Sequence, residues 1–349
     1  MMKILVIGNM GYVGPAVVRE LSLKHPDAVL HGYDNAYFAH CLTGADSFPE
    51  RYLARQYLGD VRHLPEGMLE GYTAVVQLAA ISNDPMGSRF AEVTREVNQE
   101  ASIRIARQAA REGVRQFVFA SSCSVYGVAS GEPRKETDPL SPMTAYAMSK
   151  IGTEEALADL PGDMVITNLR FATACGMSAR LRLDLVLNDF VACALSQRKI
   201  TVLSDGTPWR PLIDVADMAR AIDWAVQREA DNGGRVLSVN TGSNQRNHQV
   251  RDLAEAVAQA IPGTTVSINE KAAVDSRSYR VDFSHFERLA PGYQPQMTLR
   301  DSIHGLIVGL AKMNFVDANF RNSSLIRLRV LQDHVDQGRV TESLEWTER

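Results

Sequence analysis

The chain lacks most of the features that mark a specialised class of protein. It has only four cysteines, Cys41, Cys123, Cys175 and Cys193, far apart and without paired spacing. That pattern argues against a disulfide framework and against a metal site, and free thiols in a reducing cytoplasm are expected. No apolar run approaches the length of a membrane-spanning helix. The opening MMKILVIG carries one lysine and a short apolar run that breaks into glycines, so a secretory leader is not expected. A formal net charge of −4 gives no sign of a nucleic-acid partner or of a polybasic membrane anchor. There is no internal repeat and no low-complexity linker. What remains is an average globular composition, 45% hydrophobic and 22% charged, in 349 residues. That length suits two lobes better than one core.

The first half of the chain alternates. Apolar runs at Lys3–Gly8, Val29–Tyr33, Gln56–Asp60, Thr73–Ala80, Gln116–Ser122 and Met164–Phe171 read as strands. Helical spacing separates them at Gly14 to about Leu23, Glu92–Glu112, and about Thr144 to Leu160. Alternation of this kind predicts an α/β fold with a doubly wound parallel sheet. Beyond Gly176 the regularity weakens. Helices are expected at Leu183–Leu195, Asp214–Arg228 and Gln249–Ile261, and strands at Ile200–Leu203, Val236–Gly242 and Thr265–Asn269. These segments are expected to shuttle between the sheet and a smaller α/β lobe. The tail after about Met313 is polar and carries no motif.

The first strand runs into GNMGYVG, which places Gly8, Gly11 and Gly14 ahead of the first helix. Such a turn lets the backbone approach a pyrophosphate, and the helix N-terminus adds amide donors and partial positive charge. Asp34 closes the second strand, twenty residues after Gly14. A carboxylate there accepts hydrogen bonds from adenosine ribose hydroxyls and repels a 2′-phosphate. No lysine or arginine occurs in Asn35–Phe38 to welcome that phosphate. The expected cofactor is therefore NAD rather than NADP. Asp60, in GDV, is a candidate partner for the adenine amino group.

SPMTAYAMSK holds Tyr146 and Lys150 four apart on an expected helix, hence on one face. A tyrosine titrates near pH ~10, so service as a base near neutrality needs a fall of about three units, about 4 kcal/mol. One cation about 4 Å away at an effective dielectric near ~20 supplies about that much. Ser122 stands where the fifth strand ends, on the side of an open parallel sheet that faces the ligand crevice. Its hydroxyl can hold a substrate oxygen while Tyr146 moves the proton.

Together GNMGYVG, Asp34, LAA (Leu78–Ala80), SSCSVYG and YAMSK resemble the extended short-chain dehydrogenase/reductase family, in particular its NAD-dependent nucleotide-sugar epimerases and dehydratases. The resemblance runs from residue 1 to about residue 310. It implies a Rossmann-type domain over 1–176 that also receives about 213–242. A nucleotide-sugar lobe is then expected from 177–212 and 243–312, with a tail of unknown role at 313–349. It implies a catalytic set of Ser122, Tyr146 and Lys150. It also implies NAD contacts from Gly8, Gly11, Tyr12, Val13, Gly14, Asp34, Asp60, Val61, Leu78, Ala79, Ala80, Ser121, Tyr146, Lys150 and Phe171.

The family's 4,6-dehydratases carry an Asp–Glu pair where this chain has Cys123 and Ser124. Elimination of water needs an acid and a base, and a thiol with a hydroxyl supplies them poorly. Redox-neutral epimerisation, most often at C4, is the expected reaction. A keto-sugar reductase or sugar dehydrogenase is the alternative, and a carbanion route through Cys123 or Cys175 is a further one. Outside nucleotide sugars stand a reductase of apolar alcohols and a non-catalytic dinucleotide sensor.

The substrate set resembles the family's in WRPLIDV, where Arg210 would grip the pyrophosphate. DSRSYRVD adds Asp275 and Arg277, and LRLDLVLND adds Asn188 with Arg180 or Arg182 close by. Asn83, Cys123 and Ser124 complete the set with Thr173, which stands where the family's epimerases carry a sugar-binding asparagine. The resemblance also implies a homodimer through the helices at Glu92–Glu112 and Thr144–Leu160.

Overall fold

The computed structural model describes residues 1–82, 84–127, 131–269, 271–272 and 278–347. In chain order its strands are β1 (Lys3–Ile7), β2 (Val29–Asp34), β3 (Arg55–Leu58), β4 (Ala74–Gln77), β5 (Gln116–Ser122) and β6 (Val165–Phe171). They continue as β7 (Thr173–Cys175), β8 (Lys199–Val202), β9 (Trp209–Asp214), β10 (Val236–Thr241), β11 (Asn247–Gln249) and β12 (Thr265–Ile268). Seven of these form one parallel sheet in the order β10-β6-β5-β4-β1-β2-β3. The fold is a Rossmann-type α/β sheet with helices on both faces.

Burial on both faces explains why the strands read as unbroken apolar runs. Ile4 and Val6 of β1 belong to one core, and Leu5 and Ile7 to the other. The first core takes Val17, Val18 and Leu21 of helix Gly14–Lys24 and Ile222 of helix Val215–Ala225. The second takes Ile105 and Ala109 of helix Ala101–Arg111 and Leu157 of helix Ala145–Ala158.

The strand order reverses between β1 and β4, which opens a crevice past their carboxyl ends. Gly8 and Ala79 meet there. Gly8 has φ +87°, and a Cβ on it would lie 2.5 Å from Ala79 N. A Cβ on Gly14 would lie 2.1 Å from Asn9 O, so the first helix sits directly against the turn.

Three departures from the sequence reading matter. The stretch Glu92–Glu112 is not one α-helix: Ala91–Thr94 passes into a π-helical turn at Arg95–Glu100 before Ala101–Arg111. Buried Asn98 in that turn donates to Ile81 O at 3.0 Å and accepts from Ile81 N at 2.8 Å, tying the helix to the loop after β4. Strands β7, β9 and β11 form a small sheet of their own, and β8 pairs with β12. The strands expected at Ile200–Leu203 and Thr265–Asn269 are β8 and β12, whereas β7, β9 and β11, of three to six residues, carry too little periodicity to stand out. Finally, the polar tail folds. It contains helix Arg327–Asp336, and Leu331, Val340 and Leu344 are buried in the second core.

Among the described residues no helix is long and apolar enough to cross a membrane, and no group of three or more His, Cys, Asp or Glu residues could hold a metal ion.

Candidate active site

A cavity of about 1100 Å³ fills the crevice. Gly8, Gly11, Tyr12 and Val13 line it from the turn after β1, and Asp34 from the end of β2. Val61 and Leu78–Ala80 line it from the turns after β3 and β4, and Ser121, Ser122 and Phe171 from the ends of β5 and β6. Met10 N and Ala36 N donate to the Asp34 carboxylate at 2.9 and 2.8 Å. Burial raises its pKa, and those two amides oppose the shift. A glycine turn that brings backbone against backbone, with an oriented acid at the next strand end, fits a dinucleotide.

Asp60 does not itself line the cavity. Its carboxylate is held by Arg62, whose backbone N–H donates at 2.8 Å and whose Nη2 donates at 2.7 Å. The neighbouring Val61 is the residue that lines the cavity.

The corner expected to be catalytic is built from three consecutive residues of β5 and three residues four apart on helix Ala145–Ala158. Ser122 interacts with the Tyr146 phenol. Ala120 O accepts from Lys150 Nζ at 2.7 Å. Ser121 Oγ donates to the carboxylate of Glu154. Helical spacing puts Tyr146, Lys150 and Glu154 in one row, and the strand end meets that row residue by residue. Glu154 is in turn gripped by Arg170 of β6 at 2.7 Å, with both side chains buried. Arg170 also donates to Tyr126 Oη at 3.1 Å. Neither Glu154 nor Arg170 was anticipated as support for the site. A third acidic or polar position continuing the Tyr–Lys spacing was the available signal.

The electrostatics differ from the simple picture of a phenol acidified by one ammonium. Burial pushes Tyr146 up to about 12, and the charge that pulls it back is the Arg182 guanidinium. Lys150 is pushed down to about 7 by burial, against the pull of Glu154. Its nitrogen lies 5.4 Å from the centre of the Tyr146 ring. Desolvation is the largest cause of both shifts because both groups sit in the same dry corner.

Arg182 is itself buried. It pairs with Asp184 at 2.6 Å and donates to Ser82 Oγ at 2.8 Å. Arg180 is spent elsewhere, on Glu50 at 2.6 Å.

Two expected substrate contacts turn away from the cavity. Cys123 is fully buried, its thiol donating to Arg170 O at 3.0 Å. Asn188 is also fully buried and is spent inside the protein. It accepts from Gly176 N at 3.1 Å and donates to Tyr12 Oη at 3.1 Å and to Arg182 O at 2.9 Å. Helix Val186–Gln197 packs with that face inward, which a polar motif alone does not reveal. Ser124, Thr173 and Arg210 do line the cavity. The Ser124 hydroxyl is buried without a partner among the described residues, as a group awaiting a ligand hydroxyl would be. Asn83, Asp275 and Arg277 lie outside the described residues. Tyr279, which the sequence reading passed over, lines the cavity, and its pKa is raised by burial.

The family model for the NAD dependent epimerase/dehydratase family matches residues 4–242. The chain belongs to that family. Its members are enzymes, and NAD is the cofactor. A relative described as an uncharacterized UDP-glucose epimerase, YtcB of Bacillus subtilis, is 27% identical over 326 residues, covering 89% of this chain and 99% of YtcB. A dTDP-glucose 4,6-dehydratase of Streptomyces griseus is 26% identical over 309 residues, covering 86% of this chain and 91% of that protein. The crystal structure of a UDP-glucose-4-epimerase from Stenotrophomonas maltophila, with bound NAD and formylated UDP-arabinopyranose, superposes with a TM-score of 0.76. It is 23% identical and is matched over 90% of this chain and 99% of its own.

Epimerases and dehydratases thus stand at similar distance from this family member. The choice between their reactions rests on local chemistry at the end of β5. There the Cys123 thiol is a poor base because burial raises it strongly, and at the end of β7 burial likewise pushes Cys175 up to about 12.

Proposed function

We propose that this enzyme is an NAD-dependent nucleotide-sugar epimerase acting at C4, an isomerase whose reaction runs through a keto-sugar. One observation carries the choice. After Ser122 the strand end offers Cys123, buried with its thiol on a backbone carbonyl, and Ser124, a neutral hydroxyl. No acid–base pair for expelling water follows Ser122 on that strand end.

In this reading Ser122 Oγ holds the reacting sugar oxygen. Tyr146 takes the hydroxyl proton and later returns it. Bound NAD+ supplies the acceptor and donor of hydride, and a positive charge that favours the phenolate. Arg182 and Ser122 lower the same phenol from within the protein. Lys150 holds the strand end through Ala120 O and contacts the nicotinamide ribose. Between removal and return of the proton, the keto-sugar turns to offer its other face.

The sugar is carried by a nucleotide diphosphate. Arg210 and Ser124 in the cavity support that class, and Thr173 contacts the sugar. Residues 177–212 and 243–312 form the lobe that holds it. The enzyme acts in carbohydrate biosynthesis in the cytoplasm. It works as a homodimer through helices Ala101–Arg111 and Ala145–Ala158, which sedimentation measures.

The test begins by denaturing the purified enzyme and assaying released NAD. Nucleotide sugars are then screened by proton NMR in deuterated water. C4 epimerisation is expected to interconvert two C4 epimers with every sugar carbon free of deuterium. Deuterium at a sugar carbon, or loss of water from the substrate, would overturn the reading. Consumption of added NADH by a keto-sugar would point instead to a one-way reductase.

A further inference from the structure

The loop after β2 at one end of the cavity is backed by a segment that has no motif. The loop after β2 carries Asn35, Tyr37 and Phe38, which line the cavity beside Asp34. The C-terminal segment backs each of them. Trp346 Nε1 donates to Asn35 O at 2.7 Å. The Tyr37 hydroxyl donates to Leu344 O, and His334 Nε2 meets Tyr37 O at 2.9 Å. The Arg327 guanidinium lies over the Phe38 ring, 4.8 Å from its centre, and Arg327 lines the cavity itself.

The same segment is tied down on the opposite side. Arg62, next to the cavity-lining Val61, donates to Ser343 O at 2.8 Å and Leu344 O at 3.1 Å. Arg327 Nη2 donates to Arg180 O at 2.7 Å. Residues 327–347 therefore bridge the loop after β2 and the turn after β3, the two segments that bound this end of the cavity.

We propose that residues 327–347 are a strap that forms the outer wall of the adenosine site and sets the rate at which NAD leaves. This rests on NAD being the cofactor, and it holds whatever reaction the enzyme performs. For the adenosine to escape, the loop Asn35–Cys41 must lift. Lifting it exposes Leu331, Val340 and Leu344 and strips partners from Tyr37 and His334, which are 5% and 2% exposed. Buried polar groups without partners are costly. A cofactor that accepts a hydride and gives it back within one turnover gains from such retention.

The experiment compares the full-length enzyme with Trp346→Ala, Tyr37→Phe, the double variant, and Arg329→Ala. Arg329 is exposed on the strap helix and serves as control. NAD release is followed by chasing bound cofactor with isotopically labelled NAD. The double variant is expected to release NAD at least tenfold faster, and Arg329→Ala at the unaltered rate. Release within twofold of the unaltered rate in the double variant would overturn the strap. A second measurement serves if the variants fold poorly. In the unaltered enzyme, NAD is expected to slow backbone hydrogen exchange across 334–347 as well as 35–41. Protection confined to 35–41 would overturn the strap, whereas failure of the unaltered enzyme to bind NAD at all would remove the cofactor assignment beneath it.

Discussion

The two ends of the cavity are built by opposite means. At the catalytic corner, consecutive residues of one strand meet every fourth residue of one helix, and a buried Arg170–Glu154 pair braces the row from behind. At the adenosine end, an irregular loop is covered by a tail about 300 residues away in the chain, largely through backbone carbonyls. The difference follows the work each end performs. Proton transfer needs its groups placed to a fraction of an ångström, and regular elements hold that tolerance. Retention of a cofactor needs coverage, and a loop with a strap supplies it.

Removing the phenol breaks the comparison most sharply. Tyr146→Phe is expected to lower kcat by about 10²- to 10⁴-fold, the span typical of a lost acid–base group. The NAD content of the purified protein is expected to stay the same. A matching loss of NAD would mean that the two ends are not separable.

Next comes the brace. Glu154→Gln leaves Arg170 as a buried cation without its carboxylate, at a cost of about 3–5 kcal/mol. Thermal unfolding is expected roughly four to seven degrees lower, with kcat falling as Lys150 and Ser121 lose their anchor. An unchanged melting temperature would show that the corner does not depend on its brace.

Lys150→Met tests the dryness of the same corner. In the NAD-free enzyme the folded lysine titrates near 7, below its ordinary value, so at lower pH the fold must bury an ammonium. As pH rises from about 7 toward the unfolded value that cost fades, because the folded lysine loses its proton first. The variant is therefore expected to melt a few degrees higher than the unaltered NAD-free enzyme below pH 7, with the gain shrinking above it. Melting curves at pH 6 and pH 9 check the sign.

The smallest effect belongs to the strap's outer rim. Arg89 and Glu342 pair at 3.2 Å with side chains 46% and 71% exposed. Such pairs contribute about 0–1 kcal/mol. Glu342→Ala is expected to leave both melting temperature and NAD release unchanged, which would assign the strap's hold to its buried contacts.

Much of this architecture is legible in the order of residues alone. The strands of the parallel sheet stood out because burial on both faces demands unbroken apolar runs, as in KILVI and QFVFASS. The glycine turn, Asp34 and the Tyr146–Lys150 spacing stood out because each works through a local backbone rule. What was hidden had distant partners. Asn188 looked like a ligand residue and is spent on Gly176 and Tyr12.

By itself, then, the order of residues determined the sheet, the glycine turn and the row of Tyr146 and Lys150 on one helix face, since periodicity and spacing act over a few residues. Only the tertiary structure decided which polar groups face the cavity, that a phenol and its lysine share a dry corner which raises one pKa and lowers the other, and that a motif-free tail closes the cofactor site. Those outcomes depend on desolvation and on contacts between residues far apart in the chain, and neither is written in any local pattern.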